Sequence, residues 1–274
     1  MKVGVFDSGL GGLTIFRSMV EIAPQYDYLY LGDSARTPYG NRSFASILQF
    51  TREAVEYLFV QNCQIVILAC NTASAKALRT LQQEYLPQHY PNRRILGVIR
   101  PSVEALSNHS LHDPNSSNTV AIWGTKGTIS SQSYPIELSH LAPQLKVIQQ
   151  ACPLLVPLIE NQETQHVGFE YFVEQYWKQT LLKGTPSHLL LACTHYPLAL
   201  HSIQKHIGNT VHILTQGRIV AESWKEYLQR HPEWEGKLSQ NGTQEFTTTE
   251  DPKFFMSQAK LFLKKDITAT KVLL

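Results

Sequence analysis

Two cysteines stand in matching phrases of this chain. Ile65-Val-Ile-Leu-Ala-Cys70-Asn71-Thr72-Ala-Ser74 and Leu189-Leu-Leu-Ala-Cys193-Thr194-His195-Tyr-Pro-Leu each run an apolar strand into a thiol and then toward a helix. Open α/β sheets bind ligands at such strand ends, because the ends leave a crevice and the following helices aim backbone N–H groups into it. A thiol with a pKa near ~8.5 costs about 2 kcal/mol to ionise at neutral pH, a gap that neighbours can close. Helix N-termini after both cysteines are expected to lower the pKa, with Asp7 able to take a proton on one side and His195 on the other. Two thiols facing one small anionic substrate suit a reaction that removes a proton from carbon on one face and returns one on the other. Stereoinversion follows.

Other chemistries fit less well. A single cysteine closing a buried strand is more commonly a small packing residue, but a second one in a matching polar context argues for chemistry. Cys193-x-His195 supplies one pair of zinc ligands where a site wants three or four, so no metal is expected. A one-thiol hydrolase would use Cys193 with His195, yet residues two apart need not meet, and Cys70 would be unexplained.

The elements that must position these groups read as alternating strands and helices. Val3–Phe6 is a strand that ends in Asp7-Ser8-Gly9-Leu-Gly11-Gly12, followed by an amphipathic helix from Leu13. Thr14 stands where a dinucleotide fingerprint needs its third glycine, and Asp7 alone reads equally well as a helix N-cap. Tyr28–Leu31 is a second strand before a polar Pro-Tyr-Gly turn, and residues 43 to 62 are helical, leaving Cys63 as a packed thiol at a helix end. Beyond the first cysteine strand come a helix over 75–85 and a strand over 94–99, which Arg100-Pro101 stops. A helix over 103–106 then leads into a surface loop over 108–118.

Thr119–Trp123 is the next strand, and the hydroxyl-rich turn after it, Gly124 to Ser131, lacks P-loop spacing and suits a carboxylate. After a strand over 145–148, Glu160 follows a wholly apolar approach, which makes partial burial and an elevated pKa plausible beside the plain reading of an exposed helix-cap residue. Helices over 166–182 and 198–207, a strand over 211–214, a helix over 219–230, a strand over 245–249 and a helix over 254–263 complete the chain. Chain crossings are expected near Arg100 and at Thr215-Gln216-Gly217.

The two halves repeat one plan: strand into Asp7-Ser8-Gly and later Cys70, strand into Gly-Thr125 and later Cys193. The expected fold class is therefore α/β, with two similar domains of mainly parallel sheets, pseudo-twofold related, and an active site in the cleft between them. With 43% hydrophobic and 17% charged residues, the 274-residue chain can bury a full core. Its net charge of +2 carries no long run of one sign, so neither nucleic acid nor a membrane surface is an expected partner. Met1 leads straight into a strand without a signal sequence, and no apolar run approaches the roughly 20 residues of a membrane span. The expected location is the cytoplasm, with all four cysteines as free thiols.

Val-Gly-Val-Phe-Asp7-Ser8-Gly-Leu-Gly-Gly-Leu, Leu-Gly-Asp33-Ser-Ala-Arg-Thr-Pro-Tyr39-Gly40, Ala-Cys70-Asn-Thr-Ala-Ser-Ala, Ala-Cys152-Pro-Leu-Leu-Val-Pro-Leu-Ile-Glu160 and Ala-Cys193-Thr-His-Tyr-Pro-Leu together resemble the glutamate racemases, of the aspartate/glutamate racemase superfamily. The motifs run in the family's order over nearly the whole chain. The resemblance implies a cofactor-independent enzyme that interconverts L- and D-glutamate and supplies D-glutamate for peptidoglycan. It implies that Cys70 takes the α-proton from D-glutamate and Cys193 from L-glutamate, with Asp7 and His195 as their helpers and Glu160 near the substrate ammonium. Ser8, Tyr39, Gly40, Asn71, Thr72, Thr125, Thr128 and Thr194 match positions that hold the two carboxylates. Charge-assisted hydrogen bonds of that kind are roughly twice as strong as neutral ones.

The same resemblance implies a first domain of residues 1–99 with 215–274, a second domain of 100–214 inserted in it, and a homodimer. Many relatives carry Asp-Ser where this chain has Thr215-Gln216-Gly217, and the residue at Arg100 varies among relatives. Because the first strand begins at once, an N-terminal extension of the kind linked to cell-wall-precursor activation is not expected.

Overall fold

The computed structural model describes residues 1–112 and 117–274. Its core is two wholly parallel sheets. The first joins β1 (Lys2–Asp7), β2 (Tyr28–Gly32), β3 (Cys63–Leu68), β4 (Arg94–Gly97), β9 (Gln244–Thr248) and β10 (Thr270–Lys271) in the order β10-β9-β2-β1-β3-β4. The second joins β5 (Thr119–Gly124), β6 (Lys146–Ala151), β7 (His188–Ala192) and β8 (His212–Thr215) in the order β6-β5-β7-β8. Strands β2, β3 and β7 are buried along their whole length, which explains why their sequences are near-continuous apolar runs without alternation.

Helices cover both faces of each sheet. On the first sheet, α1 (Leu13–Ile22), α10 (Gln216–Arg230) and α11 (Pro252–Leu263) bury Leu13, Phe16, Val220, Trp224 and Phe255 in one core, while α2 (Phe44–Val60) buries Ile47, Val55 and Leu58 on the other face. On the second sheet, α8 (Val167–Leu181) and α9 (Leu200–Ile207) pack against one face, and α4 (Ile99–His112) and α6 (Ser133–Leu141) against the other. Trp123 on β5 is fully buried there, and its indole N–H donates to Thr180 Oγ1 at 2.9 Å.

Several local expectations are corrected. Arg100-Pro101 does not stop regular structure but forms the first turn of α4, where a proline's missing N–H costs nothing. Residues 108–112 continue that helix rather than forming a loop; of the remaining loop expectation, residues 113–116 lie outside the described residues. Arg100 itself is half-exposed and pairs with Glu104 and Glu137 on the surface. Cys63 opens β3 instead of closing a helix, and the helix expected from Ala75 begins at Asn71 and reaches His89 through a wider π-turn at Leu81–Tyr85. Among the described residues no helix is long and apolar enough to cross a membrane.

Asp27, just before β2, ties the last part of the chain to the first. Its buried carboxylate accepts from the Thr243 N–H at 2.9 Å, the Thr243 hydroxyl at 2.8 Å and the Asn241 side-chain amide at 2.7 Å. Burial alone would raise its pKa, but these donors and Ser239 hold the carboxyl well below the usual carboxylate range. A depressed folded-state pKa contributes stability that is present above the unfolded value of about 3.9 and is lost as pH falls toward the folded one. Asp27→Ala should therefore lower the stability measured by urea unfolding at pH 7 by about 2–3 kcal/mol, and Asp27→Asn should show a shallower loss of urea midpoint below about pH 4 than the parent. Equal acid slopes in parent and Asp27→Asn would contradict this assignment.

Candidate active site

The carboxyl ends of β1 and β3 in one sheet and of β7 in the other converge on a cavity of about 80 Å³. Cys70 follows β3 and caps α3 (Asn71–Lys76), its Sγ accepting from the Ala73 N–H at 3.5 Å and lying 3.3 Å from Ser8 Oγ. Cys193 follows β7, and its Sγ lies 3.9 Å from His195 Nδ1. The residues two apart do meet, because the chain turns at once after the strand. The other ring nitrogen, Nε2, lies 2.9 Å from Glu160 Oε1 at the end of α7 (Leu155–Glu160). Cysteine, imidazole and carboxylate thus form a line, with the His195 ring buried between two partners.

Both cysteines line the cavity. Ser8, Asn71 and Thr72 line it near Cys70 in sequence or contact, Thr194 and His195 follow Cys193, and Tyr39, Gly40 and Thr125 complete the set. The other three candidates back this layer: Glu160 on His195, Thr128 on the Thr72 and Thr125 hydroxyls, and Asp7 through its charge on Cys70. Thr72 in α3, Thr125, which caps α5 (Lys126–Ser130), and Thr128 in α5 form a triangle of hydroxyls 2.9 to 3.3 Å apart. The Tyr39 hydroxyl donates to Asp33, which also accepts from Arg36 and Thr249, so this phenol O–H is already engaged.

Lys126, Pro153 and Pro157 also line the cavity and were not singled out by sequence reading. For Lys126 a signal existed, since it is the one cation in the hydroxyl-rich turn over 124–131. Gln216 does not line the cavity but is bonded to Asn71, which does.

The two thiols differ electrically. Burial, reinforced by the negative charge of Asp7, pushes the Cys70 thiol up to about 12 despite the contacts from Ser8 and the Ala73 N–H. The lowering expected from the helix N-terminus loses, because one long N–H contact returns less than removal from water costs. On the other side, Cys193 has no α-helix directly after it: a short 3₁₀ turn (Tyr196–Ala199) comes first. Burial disfavours a charged His195, but the Cys193 sulfur and Glu160 outweigh it and raise the imidazole to about 10. Asp7 is raised by burial, against the lowering effect of His195; one carboxyl oxygen accepts from the Gly9 N–H at 2.9 Å and the other has no hydrogen-bond partner among the described residues. The two cysteines are thereby held in unlike electrostatic surroundings around one small cavity.

Two glycines make the approach possible. A Cβ on Gly11 would lie 2.3 Å from Thr194 Oγ1 and 2.4 Å from His195 Nδ1, and one on Gly12 would lie 2.5 Å from Asp7 Cβ. The turn after β1 therefore packs bare backbone against the loop after β7, reinforced by the Thr14 hydroxyl donating to the Thr194 carbonyl at 3.0 Å.

No family model matches the chain. It is 39% identical to the glutamate racemase of Ruegeria pomeroyi over 274 residues, an alignment that covers 98% of each chain. Among solved structures it is similar to glutamate racemase isoform RacE1 from Bacillus anthracis, with a TM-score of 0.88 at 32% identity, covering 100% of this chain and 97% of that one. It is also similar to a Francisella tularensis glutamate racemase in complex with D-glutamate, with a TM-score of 0.86 at 29% identity, covering 99% and 97%.

Gly11→Ala should lower thermal stability by about 2 kcal/mol or more through this collision and displace the His195 imidazole signals in an ¹⁵N NMR spectrum. Gly168→Ala, a helical position with nothing within 4 Å of the added methyl, should be neutral or stabilising by up to about 1 kcal/mol. In the same experiment the His195 ring should titrate far above an ordinary imidazole in the parent, and at lower pH in Glu160→Gln. An unchanged titration in Glu160→Gln would remove Glu160 from the causes of the shift.

Proposed function

The chain belongs to the glutamate racemase family and is an amino-acid racemase, and from that premise we propose that it interconverts L- and D-glutamate by passing the α-proton between two thiols. The observation that carries the reading is that Cys70 and Cys193, at the ends of strands of two different sheets, line one cavity. The D-glutamate bound to the Francisella tularensis relative supports a substrate of this size and charge.

In the L-to-D direction the Cys193 thiolate takes the α-hydrogen as a proton, its bonding pair stays on the substrate, and the Cys70 S–H returns a proton to the opposite face. The product leaves Cys193 as thiol and Cys70 as thiolate, and the reverse turnover or proton exchange with solvent restores the start. The step moves only a proton, and no cofactor takes part in it. His195, held by Glu160, exchanges the Cys193 proton; Asp7, with a buried carboxyl oxygen left without a hydrogen-bond partner among the described residues, does so for Cys70. Ser8, Asn71, Thr72, Thr125, Thr194 and the Tyr39-Gly40 backbone hold the substrate carboxylates, with Thr128 orienting the hydroxyls of Thr72 and Thr125.

Because the two enantiomers are equally stable in water, kcat/KM must be equal in both directions, and any preference appears as compensating changes in kcat and KM. The reading extends to a domain of residues 1–99 with 215–274, a domain of residues 100–214, a cytoplasmic homodimer, and a supply of D-glutamate for peptidoglycan.

Circular dichroism of the reduced protein incubated with L-glutamate, D-glutamate or L-aspartate tests this directly. Both glutamate signals should decay to zero and the aspartate signal should persist. Cys70→Ser and Cys193→Ser should each lower kcat/KM by about 10²–10⁴-fold while D-glutamate binding by calorimetry survives. Parental racemisation in either variant would end the two-thiol mechanism, and decay of aspartate alone would move the substrate.

A further inference from the structure

Gln216 opens α10 where the chain leaves the second sheet, and it is 1% exposed. Its side chain is the centre of a closed polar ring. The Asn71 amide N–H donates to Gln216 Oε1. The Gln216 amide nitrogen lies 2.7 Å from Ser102 Oγ and 3.0 Å from the Tyr134 hydroxyl oxygen. The Tyr134 O–H donates in turn to Asn71 Oδ1 at 2.6 Å, and the Ser102 O–H donates to the Val98 carbonyl at 2.6 Å. The Gln216 nitrogen also lies 3.2 Å from Asn71 Oδ1.

Donor counting fixes the orientation of every member. Ser102 and Tyr134 spend their only hydrogens elsewhere, so each offers Gln216 an oxygen, and Gln216 must turn its NH₂ toward them. Its carbonyl then faces Asn71, which must present NH₂ to Gln216 and its carbonyl oxygen to Tyr134. Turning the Asn71 amide over would set NH₂ against the Tyr134 donor and carbonyl against carbonyl. Asn71 lines the catalytic cavity directly after Cys70. The Asn71 amide has two hydrogens, and Gln216 takes one; the second remains on a residue facing the ligand space.

We infer that Gln216, through the ring with Tyr134 and Ser102, is a positioning residue that locks the Asn71 amide so that an N–H donor, never a carbonyl, meets a substrate carboxylate. The inference rests on the reading of Asn71 as a substrate contact. Without the lock, the Asn71 amide flips freely, and half of its orientations oppose oxygen to oxygen. The four members come from α3, α4, α6 and α10, so the lock also joins helices of both sheets. None of the four touches Cys193 in this ring, and the expected defect is in substrate binding.

The test is a double-mutant cycle on KM for both glutamate enantiomers. Asn71→Ala should raise KM. Gln216→Leu, and the milder Tyr134→Phe, should each raise KM about tenfold, the order of one lost hydrogen bond to a charged group, with a smaller change in kcat and a native circular dichroism spectrum. Added to Asn71→Ala, neither should change KM by more than about twofold. A purely structural role would lower the melting temperature and leave KM alone, and that result in Tyr134→Phe or Gln216→Leu overturns the inference. Equal KM increases with and without the Asn71 side chain would overturn it as well. A parental KM in Asn71→Ala would defeat the contact reading of Asn71, and the inference with it, while leaving the racemase reading standing.

Discussion

Bare backbone pressed against an imidazole is the contact on which the arrangement of this protein depends. Gly11 in the turn after β1 lies so close to Thr194 and His195 in the loop after β7 that no side chain fits between them. A similar approach joins Gly127 to the Gly40 carbonyl, which would lie 2.9 Å from an added Cβ. Two parallel sheets, each with a cysteine at a strand end, need such contacts if both thiols are to line a single small cavity. Glycine at these places trades local backbone entropy for proximity of groups that the sheets alone would hold apart.

Proximity brings its own electrostatic problem, and the two sides solve it differently. Around Cys70 the surroundings are buried, the nearest charge is negative, and the thiol keeps its proton. Around Cys193 a buried imidazole is made basic by the cysteine sulfur on one side and the Glu160 carboxylate on the other. A chemically symmetric pair of thiols thus sits in an electrically asymmetric site.

Much of this was legible in the sequence. The apolar runs ending in Cys70 and Cys193 gave away two buried parallel strands, because strands covered on both faces need no alternation. The pairing of Asp7-Ser8 with Cys70, and of Thr125 with Cys193, reflects strand order in the two sheets, which is why ten of the thirteen candidate residues line one cavity. What escaped was set by three-dimensional partners. Arg100-Pro101 read as a stop because proline breaks helices in their interior, yet it opens α4. Tyr39 carries its hydroxyl to Asp33, and Gln216 its amide to Asn71; neither direction is encoded in spacing along the chain. That the far nitrogen of His195 meets Glu160 depends on a helix 35 residues away.

The first sheet is built from both ends of the chain. Strands β9 and β10, from residues 244–271, complete the edge beside β2, and the donors that satisfy Asp27 arrive with residues 239–243. All four strands of the second sheet lie between residues 119 and 215. Until residues 239–248 are in place, β2 has an open edge and Asp27 lacks its donors. A chain cut before residue 239 therefore carries both cysteine strands but an unfinished scaffold under one of them.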